Sequence, residues 1–242
     1  MLQKKEPIIL ALETSSPVMS VALKKGNRIL EKRVSGFQKH AEYLLPSIEG
    51  LLKKQKVSIQ KIKTFLIGRG PGSFTGLRIG FSTLKGFLAL RKCSSYGALS
   101  VDLIAENAKA DLPPKARLGV LMDAYRQKIY CRFYRFDSFS LKPEGPVEVI
   151  SLDELVCRLE TGTFLAGDAL SRYAEAFGEL SKTKGLHLLE EKTWYPKASS
   201  LIALFENKDK KVQNFSKPSD FIPLYFRLSE AEERKNNYAR TC

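Results

Sequence analysis

A glycine-rich segment, Gly70–Gly80, has the plainest chemical pattern in the sequence. It follows the apolar run Thr64–Ile67 and leads into a second apolar stretch, so it joins a strand to a helix. Amides at a helix start can hold an anion, and Gly70, Gly72 and Ser73 are the candidates. The phosphate-binding pattern G-x-x-x-x-G-K-[ST] does not fit, because leucine follows the glycine where lysine is needed. The spacing favours a tight turn whose glycines allow close packing.

Two acidic residues stand at the ends of apolar strands. Glu13 ends the run Ile8–Leu12, Asp123 ends the run Leu118–Met122, and a polar turn follows each. In an ATPase built from two such lobes, these acids and Ser15 would lie beside a metal-bound phosphate. The turn after Glu13 carries neither glycine nor lysine to hold that phosphate. A polar strand end is therefore the favoured interpretation, with a degenerate nucleotide or anion site as the alternative.

Residues for nucleophilic or metal chemistry are sparse. The sequence has two histidines, His40 and His187, and four cysteines without a C-x-x-C spacing. His40 precedes an amphipathic stretch and is best explained by a hydrogen bond at a helix start or by a contact. Ser73 and Thr75 have no His or Asp partner nearby in the sequence. We therefore predict no catalytic residue, no metal and no cofactor.

The elements that would position these residues alternate between strands and helices, which indicates an α/β fold. The acid-tipped hairpin at Glu13 recurs 110 residues later at Asp123. This repeat predicts two related lobes, 1–105 and 106–228, followed by a charged tail, 229–242.

Two stretches of the first lobe are predicted helices with apolar surface, and the second, Leu77–Leu90, carries more of it than one sheet can cover. Apolar residues of Lys39–Lys53 form a stripe at three- and four-residue spacing, and Leu77–Leu90 is apolar nearly all round. We expect these helices to form a seam against a second protein, although burial in the core is the alternative. The predicted interface residues are His40, Leu44, Leu45, Ile48, Leu77, Gly80, Phe81, Leu84 and Leu88.

The net charge is +14, and nearly all of it lies in the first half of the chain. Residues 1–105 hold 18 Lys and Arg against 6 Asp and Glu. Attraction to an acidic partner or nucleic acid and a simple solubilising surface explain this equally well. No stretch approaches the roughly 20 apolar residues of a membrane-spanning helix, so we expect a cytoplasmic protein without membrane contact.

These motifs together resemble the bacterial TsaB (YeaZ) family. The matching segments, spread over almost the whole chain, are Ile9–Ser16 with Ser20–Leu23, His40–Ile48, Gly70–Gly80, Lys85–Gly86, Asp123–Arg126 and Pro223–Arg227. Gly70–Gly80 is the most specific of them.

The resemblance implies an actin-like, Hsp70-like fold and a place in the complex that makes threonylcarbamoyladenosine in tRNA. In that family the catalytic subunit is a paralogue, TsaD, which holds a metal through an H-x-x-x-H motif that this chain lacks. The resemblance therefore implies a non-catalytic subunit that pairs with TsaD through first-lobe helices, assembles with the small ATPase TsaE, and forms a homodimer when alone.

One position departs from the family, which commonly has Asp where Glu13 stands; this weakens any role in holding magnesium and nucleotide. Two other functions stay open. An independent ATPase or peptidase would need nucleotide or metal at Glu13, Asp123 and Gly70–Gly76. A direct tRNA-binding subunit would use the basic first lobe, with affinity that falls steeply as salt rises.

Overall fold

Short apolar runs separated by polar turns form the first sheet. The computed structural model describes residues 7–36, 38–89, 92–216 and 220–227. The first five strands are β1 (Ile8–Glu13), β2 (Val18–Lys25), β3 (Arg28–Ser35), β4 (Thr64–Gly68) and β5 (Ser94–Ala98). Their order is β5-β4-β1-β2-β3, with β1 antiparallel to β2 and parallel to β4. The chain thus begins with an antiparallel three-stranded meander, β1-β2-β3.

Three helices follow the strands of this sheet: α1 (Lys39–Gln55), α2 (Phe74–Ala89) and α3 (Ser100–Ala108). The apolar stripe of α1 and one side of α2 pack on β1, β2 and β4, which buries the large side chains of the first core. Leu90, the last residue of the predicted second helix, lies outside the described residues.

The second sheet repeats the first one. Its strands are β6 (Arg117–Asp123), β7 (Lys128–Phe136), β8 (Leu141–Pro143), β9 (Glu148–Ser151), β10 (Phe164–Ala166) and β11 (His187–Leu188). The order is β11-β10-β6-β7-β8, and β9 also pairs with β7. In both sheets the first strand pairs with its own hairpin partner on one side and with a later parallel strand on the other. The predicted two-lobed, actin-like α/β fold is confirmed.

The second sheet is covered by α4 (Leu152–Val156), α5 (Ala169–Arg172) and α6 (Ala174–Lys184). A capping box begins α4: the Ser151 hydroxyl accepts from the Glu154 amide, and the Glu154 carboxylate accepts from the Ser151 amide.

The chain then returns to the first sheet. Helix α7 (Ala198–Glu206) packs on β1, β2 and β4, and β12 (Gln213–Asn214) pairs with β5. The Ala198 amide donates to the Ser20 hydroxyl at 2.9 Å, which ties α7 to β2. The segment from α7 to β12 lies within the range 106–228 that is predicted for the second lobe, but it packs on the sheet of the first lobe. The predicted tail, 229–242, lies outside the described residues. Among the helices that the structure describes, none has the length and apolar character needed to cross a bilayer.

Candidate functional site

The turn between β1 and β2 is closed to solvent. Glu13, Thr14, Ser15 and Ser16 are each at most 1 % exposed. The Ser73 amide donates to the Ser15 carbonyl at 2.7 Å, so the glycine-rich segment lies directly on this turn. A ligand as large as a nucleotide has no access to the turn in this arrangement.

Glycines make this close approach possible. A Cβ at Gly72 would lie 2.2 Å from the Ser15 carbonyl oxygen, and a Cβ at Gly76 would lie 2.1 Å from the Thr14 carbonyl oxygen. One turn further along α2, a Cβ at Gly80 would lie 2.4 Å from the Thr14 hydroxyl. Any side chain at these positions would push the helix off the turn. The favoured interpretation of Gly70–Gly80, a tight turn with close packing, is confirmed.

The carboxylate of Glu13 is turned into the protein rather than towards a ligand. It accepts from the Ser15 amide at 2.6 Å and from the Ser100 hydroxyl at 3.0 Å. Burial raises the pKa of Glu13, and the hydrogen bonds from Ser15 and Ser100 oppose that rise. Glu13 is the polar last residue of β1, as the favoured interpretation has it, and its hydrogen bond with Ser100 also links β1 to the start of α3.

The remaining first-lobe candidates for an anion site are engaged within the chain. The Gly76 amide donates to the Ser73 hydroxyl at 3.1 Å, and the Gly70 carbonyl accepts from the Ser100 amide at 2.8 Å. The candidate nucleotide or anion site at Glu13, Ser15, Gly70, Gly72 and Ser73 stays a prediction, and Glu13 and Ser15 are closed to solvent in this arrangement. The contact between Ser73 and Ser15 holds the start of α2 against the end of β1.

Asp123 belongs to a different cluster, at the turn between β6 and β7. Its amide donates to Asp168 Oδ1 at 2.9 Å, and its own Oδ1 accepts from the Tyr125 amide at 2.9 Å. Burial raises the pKa of Asp168 to about 7, and the nearby charge of Asp123 adds to that rise. Asp168 is not among the residues predicted from the sequence, although Gly167-Asp168 marks a turn directly after β10.

This second turn is open and its backbone is strained. Tyr125, Arg126 and Gln127 have φ values of 58°, 49° and 58°, a left-handed run without glycine. The Tyr125 side chain is 53 % exposed. The Arg227 guanidinium donates to the Ala124 and Tyr125 carbonyls and holds the turn in place. Hydrogen bonds from distant residues thus stabilise an unfavourable conformation.

Most residues predicted for the partner interface form the core of the first lobe. His40, Leu44, Ile48, Leu77, Gly80, Phe81 and Leu84 are buried, whereas Leu45 is 55 % exposed and Leu88 is partly buried. The second side of α2 is covered by the chain itself, since the rings of Phe215 and Phe221 pack against Phe81. The partner interface therefore stays a prediction, and in this structure the seven buried residues lie within the chain's own core.

His40 takes the role expected of a hydrogen-bonding residue at a helix start. Its ring nitrogens lie 3.0 Å from the carbonyl oxygens of Gly36 and Ser16. The side chain thereby ties the start of α1 to the closed β1–β2 turn. In the parts of the chain that the structure describes, no three His, Cys, Asp or Glu side chains are grouped as a metal site would require.

An apolar groove stays exposed between α1 and α2. It has a volume of about 380 Å³. Its walls are formed by Leu45, Pro46, Ile48, Glu49, Leu52, Ile59 and Phe87. Tyr43, which precedes the groove residues on α1, is 40 % exposed. We call this surface, Tyr43 with the seven lining residues, the α1–α2 groove.

A family model, two curated relatives and a solved structure of the TsaB and TsaD group of proteins match this chain. The family model described as "TsaD: tRNA N6-adenosine threonylcarbamoyltransferase" matches residues 35–233. The tRNA threonylcarbamoyladenosine biosynthesis protein TsaB of Bacillus subtilis is 23% identical over 93% of this chain and 96% of its own length. TsaB of Escherichia coli is 25% identical over 81% of this chain and 84% of its own length. The solved structure of YeaZ from Pseudomonas aeruginosa has a TM-score of 0.74 at 23% identity and covers 91% of this chain and 100% of that one.

Proposed function

The chain belongs to the TsaB (YeaZ) family and takes part in tRNA threonylcarbamoyladenosine biosynthesis; from that premise we propose that it is the non-catalytic subunit that binds and activates TsaD. In this proposal it also assembles with TsaE. The role implies a cytoplasmic location, where tRNA is modified. The observation that carries the proposal is the α1–α2 groove, an exposed apolar surface on a lobe whose other candidate site is closed.

The closed β1–β2 turn supports a non-catalytic role. In a two-lobed ATPase this turn would have to approach phosphate, but here its four residues are buried under α2. The Glu13 carboxylate, which would have to assist a metal or a water molecule, is enclosed by Ser15, Ser100 and Gly68. An independent ATPase or peptidase is therefore the weaker candidate.

The α1–α2 groove supports the choice of surface. Its exposed residues include Leu45 and Pro46 on α1, and its inner wall includes Leu52 and Phe87. An apolar side chain from a partner would fill this groove and remove its apolar surface from water. The favourable free energy of that burial is about 25 cal/mol for each Å² of apolar surface. Residues at the centre of such an interface carry most of the affinity.

The buried residues of the predicted interface keep an indirect role. Leu44, Ile48, Phe81 and Leu84 pack α1 and α2 on the sheet and on each other. They fix the distance between the two helices and therefore the shape of the groove. In the absence of TsaD, the same groove is the surface through which we expect two copies of this chain to form a homodimer.

A charge placed in the groove tests the proposal. We expect Leu45→Glu to weaken TsaD binding at least tenfold, because the carboxylate must be buried against apolar groups. Phe139→Glu is the matched control: Phe139 is 85 % exposed on the second lobe and should leave the affinity unchanged. Calorimetric titration with TsaD measures both. Equal affinities for Leu45→Glu and the unaltered chain would contradict the proposal, provided that circular dichroism shows both variants folded.

A further inference from the structure

A cleft between the two lobes is separate from both turns and from the α1–α2 groove. Its volume is about 830 Å³. The first-lobe wall comes from the ends of β4 and β5 and from β12, and the second-lobe wall comes from β7 and β8. Residues 13–17 and 124–127 do not line it, so it is a different place from the hairpin turns at which a two-lobed ATPase would hold nucleotide.

Cationic side chains predominate in the cleft. Six of its lining residues are cationic, namely Arg69, Arg132, Lys142, Lys208, Lys210 and Lys211, and two are acidic, namely Asp102 and Asp209. Lys142 pairs with Asp137 at 2.8 Å, and the positive charge that remains in the lining attracts an anionic ligand.

Both acidic residues are neutralised within the protein. Asp102 is buried, and it accepts from the Arg132 guanidinium at 3.1 Å and from the Tyr134 hydroxyl at 2.7 Å. Asp209 pairs with Lys211 at 2.7 Å. Lys208 and Lys210 are exposed and form no ion pair within the described residues. These two lysines therefore carry charge that is available to a ligand.

Arg69 lies at the first-lobe wall of the cleft and is 8 % exposed. Its Nη1 donates to Gln213 at 2.5 Å, and its guanidinium stacks 5.1 Å from the centre of the Phe215 ring. Its Nε has no hydrogen-bond partner, and Asp220 compensates part of its charge. The Nε is enclosed in the protein, so Arg69 contributes to the cleft through the positive charge of its guanidinium at the wall. The planar donor arrangement of Arg is well suited to phosphate.

We propose that this cleft binds the phosphodiester backbone of RNA through Lys208, Lys210 and Arg69. The inference rests on the proposed function, which supplies tRNA as the RNA. Apolar residues of the lining, Leu99 and Phe226 among them, give a base a surface to pack against. Two free lysines on the rim and a fixed arginine at the wall suit an extended chain of phosphates better than a single one.

The test is tRNA binding by the full chain without TsaD, measured by fluorescence anisotropy over 50 to 200 mM salt. We expect Lys208→Glu with Lys210→Glu to lower the affinity at least tenfold. The plot of log affinity against log salt has a negative slope, and we expect its magnitude to decrease by about 2. Each lysine that no longer neutralises a phosphate decreases that magnitude by about 1. Because TsaD is absent, failure of TsaD binding leaves this result unaffected.

A matched control is Lys54→Glu with Lys56→Glu. These lysines are exposed, have the same spacing and change the net charge equally, and Lys56 has a φ of 51° against 52° for Lys208. We expect this control to bind tRNA within twofold of the unaltered chain. Equal reductions in affinity for the two double variants would show that overall charge, not the cleft, attracts RNA and would overturn the inference. Displacement of tRNA by millimolar AMP would also overturn it in favour of a mononucleotide site.

Discussion

The two hairpin turns occupy the same place in the two lobes but have opposite environments. Residues 13–16 of the first turn are buried under α2, whereas Tyr125–Gln127 is exposed and left-handed. The closing element is the glycine-rich start of α2, whose backbone contacts the first turn directly. The counterpart after β10 is the short helix α5, and the second turn is held by Asp168 and Arg227 instead.

This difference indicates how a duplicated fold can change its use. Where α2 covers the turn, the residues that a ligand would contact become structural, and Glu13 becomes a link between β1 and α3. The same contact fixes α2 relative to the sheet, which in turn shapes the α1–α2 groove. The contact that closes the first turn thus also shapes the groove that we propose as the partner surface.

The largest expected effect comes from forcing the first turn open. In Gly76→Ala the new Cβ would lie 2.1 Å from the Thr14 carbonyl oxygen, which is too close for two unbonded atoms. We therefore expect the free energy of unfolding to decrease by about 3 kcal/mol. Gly86→Ala is the control in the same helix, because nothing lies within 4 Å of its Cβ. It should be stabilising by about 1 kcal/mol, since alanine favours a helix more than glycine. Urea unfolding measures both, and similar stabilities would show that the contact is not tight.

A smaller effect concerns the acid that holds the second turn. Burial raises the pKa of Asp168 to about 7 from 3.8, so the folded state favours the protonated form. Protonated Asp168 makes its full contribution to the free energy of unfolding below pH 4, and this contribution is lost as the pH rises through 7. Relative to Asp168→Asn, the unaltered chain should lose about 1 kcal/mol for each pH unit between 5 and 7. Unfolding at several pH values checks this, and parallel curves would contradict it.

The smallest effect concerns backbone strain in the open turn. Gln127 is exposed and has a φ of 58°, a conformation that glycine adopts without penalty. We expect Gln127→Gly to be stabilising by about 0.5 kcal/mol, as relief of strain exceeds the added chain entropy. Gln127→Ala keeps the strain and should be neutral. Urea midpoints distinguish the two, and a destabilised Gln127→Gly would show that the turn is not strained.

Local pattern predicts much of this fold. The strands β1, β2 and β4 are short apolar runs, α1 carries a three- and four-residue stripe, and the repeat at Glu13 and Asp123 indicates two lobes. These features depend on residues close together in the chain. Periodicity and turn residues are sufficient to reveal them.

The fate of the candidate residues could not be predicted in the same way. The excess of apolar surface on α2 correctly indicates a second covering, but Phe215 and Phe221, more than a hundred residues later, provide it. The hydrogen bond from Ser100 to Glu13 likewise joins residues far apart. Such contacts form because the chain returns to the first lobe after the second sheet. No periodic pattern in the sequence indicates that return, so the contacts could not be predicted.

The central claim is that this chain does not modify tRNA by itself and promotes threonylcarbamoyl transfer by assisting TsaD. The most direct measurement is threonylcarbamoyl transfer to tRNA with TsaD and TsaE present, with and without the chain, and with the chain alone. We predict no transfer by the chain alone, strong stimulation when it is added to TsaD and TsaE, and loss of that stimulation with Leu45→Glu. Transfer by the purified chain in the absence of TsaD would contradict the account.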